Sequence, residues 1–436
     1  MDLLIAFLIF LTSMVAALVK NVSMVYALLV GLVCFIAVGM RRGFPLRGLL
    51  VMSVSGIRKS LIVIEVMCVI GFITAIWRVS GTITIFVYYG MKIITPSLFL
   101  LIAFALSCVL SYALGTSFGV AGTVGVIFMT LARSGGVDPV LTAGVLMSGV
   151  YFGDRCSPVS SSANMVAGIT ETKIFDNVKI MMKTGMLPLI ITFIIYAVLS
   201  FRNPISHVDE ALLRQFEESF NLSMWNFVPA ILMLLLPLLH VDVMVSMFLS
   251  IAGGVLVAWL VQGVPLLEVC KISILGYQAT GNGLDTILNG GGLVSMIEIV
   301  VVLIISCMYS GIFDGTRMLE TLQEKITQAC TRIGRFAVMV VLSIVSTMMF
   351  CNQTITTLMC NDLMEKPYLD GGGSRQELAI DLENSVILIA CSIPWAIGCS
   401  VPLSFFGVGP KAMLYAFFMF LVPICYLFTK KRWYPN

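Results

Sequence analysis

Long apolar runs constrain this chain more than any other feature of its sequence. Ten runs are each close to the ~20 residues that a helix needs to cross a bilayer. They cover residues 3–19, 22–40, 60–77, 97–114, 183–201, 223–239, 241–261, 294–313, 336–351 and 411–428. Of the 436 residues 59% are hydrophobic and 11% charged, against ~25% charged in soluble domains. The pattern predicts an all-α polytopic membrane protein with about 10–12 transmembrane helices.

Charge, cysteine usage and motifs exclude several other classes of protein. The net charge of +3 gives no reason to expect a nucleic-acid partner. The twelve cysteines lie singly, without the paired spacing of a zinc or redox site. The first apolar run, residues 3–19, has neither the basic region before it nor the small-residue cleavage site after it that a signal peptide has. It is therefore interpreted as a retained span. No nucleophile–base motif such as Gly-x-Ser-x-Gly is present, so neither an enzyme nor a cofactor is expected.

Basic residues between the runs predict the orientation in the membrane. They cluster in loops 41–59 and 314–335 and at the C-terminus, which the positive-inside rule places in the cytoplasm. We therefore expect a multi-pass protein of the bacterial inner membrane, with both termini cytoplasmic and lipid as its surroundings. Segment 202–222 is mixed in charge and is interpreted as a connector between halves 1–201 and 223–436.

A loose internal repeat supports this division. Glu65 and Glu298 are the only charged residues in runs 60–77 and 294–313. The two basic loops lie on opposite sides of these runs, so the runs are expected to cross in opposite directions, as in an inverted repeat. A carboxylate at the centre of a membrane helix costs ~2.5–3.5 kcal/mol. Both acids are therefore expected to face the protein interior and to act in proton coupling, although a structural carboxyl group remains an alternative.

Three apolar stretches are interrupted by Gly, Ser, Thr, Asn and Pro: 115–170, 271–292 and 352–408. Irregular backbone at membrane depth survives only where protein or a water-filled cavity covers it. These stretches predict broken helices and re-entrant hairpins, near 139–170 in the first half and 378–408 in the second. Residues 115–125 contain four glycines and three hydroxyl residues. They suit either an ion-binding helix break or close packing of helices through small residues.

The segment from Phe152 to Asn164 is the most informative one. Asp154 supplies a charged oxygen in an apolar setting, and the residues that follow supply neutral oxygens: Ser157, Ser160, Ser161 and Asn164. Small hard cations take oxygen ligands. We predict a Na⁺ site that includes Asp154 and Asn164. Arg155 could instead neutralise Asp154 in a structural pair, although neighbours on a helix point in different directions.

The second half contains a matching set of polar residues. Asn352, Gln353 and Thr354 follow a span as residues 115–119 do in the first half. Residues 381–385 lead into the proline-broken segment 392–400. Residues 381–400 are predicted to form another hairpin. An ordinary surface loop is the alternative.

Several of these motifs resemble the NhaC family of sodium/proton antiporters, over about residues 55–425. The matching pieces in the first half are Trp77 with Ser80-Gly81-Thr82, Tyr88-Tyr89-Gly90, Gly115-Thr116-Ser117-Phe118-Gly119, Leu141-Thr142-Ala143-Gly144, and Phe152-Gly153-Asp154 with Ser157-Pro158. In the second half they are Asn289-Gly290-Gly291 with Ser295-Met296, and Ile393-Pro394-Trp395.

The resemblance implies exchange of Na⁺ for H⁺ by two inverted repeats, each with a re-entrant hairpin, in a homodimer. It implies that Asp154 is the cation and proton carboxylate. It further implies that the same site is lined by residues from both halves: Thr116, Ser117, Ser157, Asn164, Gln353, Thr354 and Glu383.

Four positions depart from the family's motifs. Ser161, Asn352 and Asn384 stand where acids are usual, and Ala396 replaces an Asn. Each change removes a charge or a ligand, so two alternatives stay open. One is transport of a small organic acid coupled to Na⁺ or H⁺, as in some relatives, with its carboxylate held at helix N-termini. The other is a membrane sensor or scaffold that has lost transport.

Overall fold

The computed structural model describes residues 2–20, 22–58, 61–93, 95–205, 210–239, 241–279, 288–316 and 323–434. Parts of several predicted segments lie outside these ranges: residue 59 of the first basic loop, residue 60 of span 60–77, residues 206–209 of the connector, residues 280–287 of stretch 271–292 and residues 317–322 of the second basic loop. The regular structure described is helical, apart from one isolated bridge between Tyr277 and Gly290. The predicted class, an all-α polytopic membrane protein, is confirmed.

The first half contains eleven described helices. They are α1 (Asp2–Lys20), α2 (Met24–Arg41), α3 (Leu46–Arg58), α4 (Leu61–Val79), α5 (Thr82–Ile93), α6 (Phe99–Leu114), α7 (Ser117–Val120), α8 (Val126–Ser134), α9 (Pro139–Cys156), α10 (Ser161–Ile169) and α11 (Ile174–Arg202). A π-helical turn, Ala121–Gly125, joins α7 to α8, so that residues 117–134 form one near-continuous helix.

The connector contains one described helix, α12 (Glu210–Ser219), and the second half contains eleven more. They are α13 (Val228–Leu238), α14 (Val243–Leu260), α15 (Leu266–Leu275), α16 (Ile297–Thr316), α17 (Gln323–Ile333), α18 (Arg335–Phe350), α19 (Gln353–Leu369), α20 (Arg375–Asn384), α21 (Val386–Ile389), α22 (Ile397–Phe406) and α23 (Phe417–Trp433).

Fewer helices than expected are long enough to span a membrane by themselves. Within the described residues, six are long and apolar enough, or up to eight if each of two bent helix pairs counts as one span. The prediction of 10–12 counted every apolar run as a complete span. Some of these runs form shorter helices, such as Arg335–Phe350, because a polar break ends them early.

One expected cytoplasmic loop, 41–59, is largely a helix instead. Helix α3 runs antiparallel to the second half of α16: Gly56 contacts Cys307 and Gly311, while Met52 contacts Gly311 and Gly315. A Cβ atom added at Gly56 would lie 2.0 Å from the carbonyl oxygen of Cys307. Small residues at the crossing permit this close approach. The sequence misled us because α3 carries an arginine near each end.

The two halves share one hydrophobic core. Its largest cluster combines side chains from α4–α11 with others from α16, α18 and α20–α23. The break after α6 is flanked by Leu114 and Val120 of this cluster, whereas Phe350 and Cys351, at the break after α18, belong to a second cluster.

Candidate functional site

Two helix breaks, one in each half, have the same backbone geometry. Helix α6 ends at Gly115 (φ 64°, ψ 22°) and α18 ends at Cys351 (φ 56°, ψ 10°), both in the left-handed region. The next residues, Thr116 and Asn352, are extended, and their side chains accept hydrogen bonds from main-chain N–H groups of the following helix. This geometry agrees with the equivalence of the two segments predicted from sequence.

The break at Gly115 lies against the turn between α9 and α10. A Cβ atom at Gly115 would lie 2.6 Å from the carbonyl carbon of Val159 and 2.7 Å from the nitrogen of Ser160. Glycine is therefore required both by its positive φ and by the approach of this turn. The contact brings the N-termini of α7 and α10 together.

Asp154, in the last turn of α9, is the charged group at this meeting point. It is 3% exposed. The hydroxyl group of Ser162 donates to its carboxylate, at 3.0 Å from Oδ1 and 3.1 Å from Oδ2. The Gln353 Nε2 atom donates to Oδ2 at 3.0 Å and to the main-chain oxygen of Ile387 at 3.1 Å. Asp154 is thus held by neutral donors from both halves of the chain.

These groups line a cavity of about 320 Å³. Six of the predicted site residues line it: Thr116, Ser117, Asp154, Ser161, Gln353 and Thr354. Four lining residues were missed, namely Val66, Phe118, Ser162 and Met165. Ser162 follows Asp154 by eight residues across a turn, and no helical spacing points to it. Its place in the Ser160-Ser161-Ser162 run was the available signal.

Four other predicted ligands do not line the cavity. Ser157 donates to the main-chain oxygen of Tyr112 at 2.6 Å. Asn164 is exposed, and its amide group donates to the main-chain oxygens of Pro158 and Ser160. Asn164 closes the turn and does not line the cavity, so a cation between Asp154 and Asn164 stays a prediction. Asn352 caps α19, and Glu383 is buried outside the cavity.

The expectation that Glu65 and Glu298 face the protein interior is also wrong. Both are exposed on the surface of the chain. They lie near the starts of α4 and α16, not at the centres of spans. Glu298 accepts a hydrogen bond from the hydroxyl group of Ser23. Glu65 is adjacent in sequence to Val66, which lines the Asp154 cavity.

Arg155 does not form the structural pair with Asp154 that the sequence left open. Its guanidinium group turns away and donates to the Asn384 Oδ1 atom (3.1 Å from Nε), the main-chain oxygen of Met181 (3.0 Å) and the Thr184 Oγ1 atom (3.1 Å). Within the described residues it makes no salt bridge with Asp154. No salt bridge to Arg155 therefore blocks the Asp154 carboxyl group from binding a cation in the cavity.

The cavity has the chemistry of a site for a small cation. One carboxylate and the hydroxyl oxygens of Thr116, Ser117, Ser161 and Thr354 line it. Oxygen ligands of this kind suit hard cations such as Na⁺. The N-termini of α7, α10 and α19 also end there, and helix N-termini stabilise negative charge, which here belongs to Asp154.

Comparison with known proteins agrees with this chemistry. The Na⁺/H⁺ antiporter family model matches residues 149–430. An Na⁺/H⁺ antiporter NhaC of Alkalihalophilus pseudofirmus is 27% identical over 85% of this chain and 82% of its own. NhaC of Bacillus subtilis is 27% identical over 88% and 86%. A malate-2H⁺/Na⁺-lactate antiporter of Bacillus subtilis is 24% identical over 82% and 78%.

The matched residues include Asp154, Gln353, residues 149–170 of the first predicted hairpin and the whole of the second. The proteins of this family and these relatives are antiporters, not enzymes. The family model matches more than half of the chain. As the resemblance predicted, this chain therefore belongs to the Na⁺/H⁺ antiporter family.

Proposed function

We propose that this protein is a secondary active transporter that exchanges Na⁺ for H⁺ across the cytoplasmic membrane of a bacterium. The observation that carries the proposal is Asp154, a buried carboxylate facing a cavity of neutral oxygens with no basic partner among the described residues. Such an acid inside a membrane protein is costly unless it serves a purpose. Na⁺ and H⁺ are the cargo of this site, not cofactors.

Six of the lining residues contribute to the binding of Na⁺ in this proposal. Asp154 supplies the negative charge, and Thr116, Ser117, Ser161, Gln353 and Thr354 supply neutral oxygens that replace the water around Na⁺. Loading of the cation and loading of a proton exclude each other because both compensate the same excess negative charge of the buried site. This exclusion is what couples the two fluxes.

The cavity must open to each side of the membrane in turn, by alternating access. Its walls come from both halves, 1–201 and 223–436, so a rearrangement between elements of the two halves would change access. We place both termini in the cytoplasm because basic residues end α2 and α23. A homodimer in the lipid bilayer follows from the resemblance to NhaC antiporters.

A flux assay tests the proposal. Purified protein is reconstituted into vesicles with an acidic interior and a trapped pH dye, and Na⁺, Li⁺, K⁺ or organic acids are added outside. We expect Na⁺ to dissipate the pH gradient from neutral to alkaline pH, while K⁺ does not. A chain that has lost transport, or one that carries something else, would give no response to Na⁺.

A small organic acid is a second candidate cargo, favoured by the size of the cavity. At about 320 Å³ it is larger than a bare cation needs and falls within the range of small-molecule sites, ~300–1,000 Å³. The three helix N-termini could hold a carboxylate, and one relative is named for malate and lactate exchange. Flux that requires a hydroxy acid or dicarboxylate in the same assay, with no response to Na⁺ alone, would select this candidate.

A further inference from the structure

Glu383 is a fully buried acid in the second half of the chain. It lies near the C-terminal end of α20 and is 0% exposed. Neither carboxylate oxygen has a hydrogen-bond partner among the described residues. An isolated ionised carboxylate in such a place is strongly unfavourable, so the group holds a proton unless a positive charge compensates it.

Two charged groups of the other half of the chain act on Glu383 electrostatically. They are Arg155 and Asp154, both on α9. The Cys156 thiol also lies within electrostatic reach of Glu383. Arg155 is fully buried and bonds to the side chain of Asn384, next to Glu383 in sequence. Because Asn384 is neutral, Arg155 keeps its full positive charge.

The charges of three buried groups therefore depend on one another: Asp154, Arg155 and Glu383. Without a cation, Arg155 is balanced by a single ionised acid, so the two carboxyl groups hold one proton between them. Asp154 accepts hydrogen bonds from Ser162 and Gln353, which stabilise its ionised form. Glu383 has no such bonds, so the proton belongs on Glu383.

Binding of Na⁺ at Asp154 changes this balance. The cation adds one positive charge, which is compensated if Glu383 releases its proton and balances Arg155. We propose that Glu383 is the proton-carrying acid of the exchanger, and that Na⁺ and H⁺ occupy different carboxyl groups linked through Arg155. This inference rests on the proposed function. It specifies exchange of one Na⁺ for one H⁺ without movement of net charge.

Two transport modes separate the role of Glu383 from that of Asp154. Counterflow of radioactive Na⁺ against unlabelled Na⁺, at equal pH on both sides, requires the cation-loaded transporter only. Uptake of radioactive Na⁺ driven by a pH gradient requires release and rebinding of the proton as well. Both are measured on the full chain in vesicles, with Glu383→Gln as the test variant.

We expect Glu383→Gln to retain counterflow at saturating Na⁺ but to lose uptake driven by a pH gradient, down to the level of protein-free vesicles. In the unsubstituted protein the half-saturating Na⁺ concentration should fall as pH rises, because protons on Glu383 oppose cation loading. In the variant this pH dependence should disappear. An imposed K⁺ diffusion potential should not change the rate in the unsubstituted protein.

Three controls keep the outcomes distinct. Glu365→Gln makes the same chemical change on α19, at a half-buried acid paired with Arg375, and should leave both modes intact.

Retained gradient-driven uptake in Glu383→Gln, or loss of its counterflow, would overturn the inference. Glu383→Asp restores an acid and should recover gradient-driven uptake. Absence of both modes in the unsubstituted protein would instead reject the proposed function.

Discussion

At the scale of single residues, the partners of a buried acid decide what it can do. Asp381 is fully buried but receives hydrogen bonds from Tyr368 and Tyr426 and a salt bridge from Lys430. Asp154 is almost as buried but is held by hydroxyl and amide groups only. The lysine neutralises Asp381 permanently, whereas the charge of Asp154 stays available to a cation.

Removal of Lys430 should destabilise the fold. Its Nζ atom also lies 2.7 Å from the Oε1 atom of Glu377, so Lys430→Gln leaves Asp381 without this basic partner and Glu377 with Arg335 alone. Breaking a buried ion pair in this way costs ~3–5 kcal/mol. Thermal unfolding in detergent should show a clearly lower midpoint. Lys431→Gln is the matched control because Lys431 is exposed; equal midpoints for the two variants would contradict this account.

Sequence reasoning found Asp154 because a charge between apolar stretches is conspicuous. It missed Ser162 and did not foresee the hydrogen bonds of Asn164, because a turn of four residues, 157–160, sets the directions of both side chains. It misjudged Glu65 because the cost of a charge in lipid predicts only that an acid lies in polar surroundings. That cost does not distinguish the protein interior from an exposed surface.

At the scale of elements, the site depends on helices that stop inside the core. The left-handed residue at Gly115 ends α6, and the N-cap at Thr116 starts α7. Cys351 and Asn352 do the same between α18 and α19. Each break directs a helix N-terminus at the Asp154 cavity. Glycines and hydroxyl residues made the first break predictable, whereas Cys351 adopts a conformation that its residue type does not suggest.

Gly115→Ala should therefore reduce stability and disturb the cavity. The left-handed conformation alone costs ~1–2 kcal/mol for a residue with a Cβ atom, and the clash with the 157–160 turn adds to this cost. Thermal unfolding measures the effect. Gly168→Ala in α10 is the control: an added Cβ there meets nothing within 4 Å, so a change between zero and a gain of ~1 kcal/mol is expected. Equal loss in both variants would contradict a specific requirement at Gly115.

Helix α3 shows where element prediction failed. Arginines near both of its ends favoured a loop over a helix packed on α16. Its contact depends on Gly56 and Gly311, and a glycine in one segment gives no indication of which distant glycine it meets. Packing partners of this kind are decided by the tertiary fold.

At the scale of the whole molecule, the cavity joins the two halves of the chain. Gln353 bonds to Asp154 and to Ile387, Arg155 bonds to Asn384, and Tyr151 donates to the main-chain oxygen of Gly398. These contacts connect α9 in the first half with α19–α22 in the second. The sequence predicted that two polar breaks belong to one site, but not which side chains cross between them.

The central claim is that Asp154 holds the transported cation. Equilibrium binding of radioactive Na⁺ to purified protein tests it most directly, with Asp154→Asn compared to the unsubstituted protein and to Glu365→Gln. We predict saturable binding that Asp154→Asn abolishes and Glu365→Gln preserves, with all three proteins folded as judged by thermal unfolding. Undiminished Na⁺ binding by folded Asp154→Asn would contradict the claim.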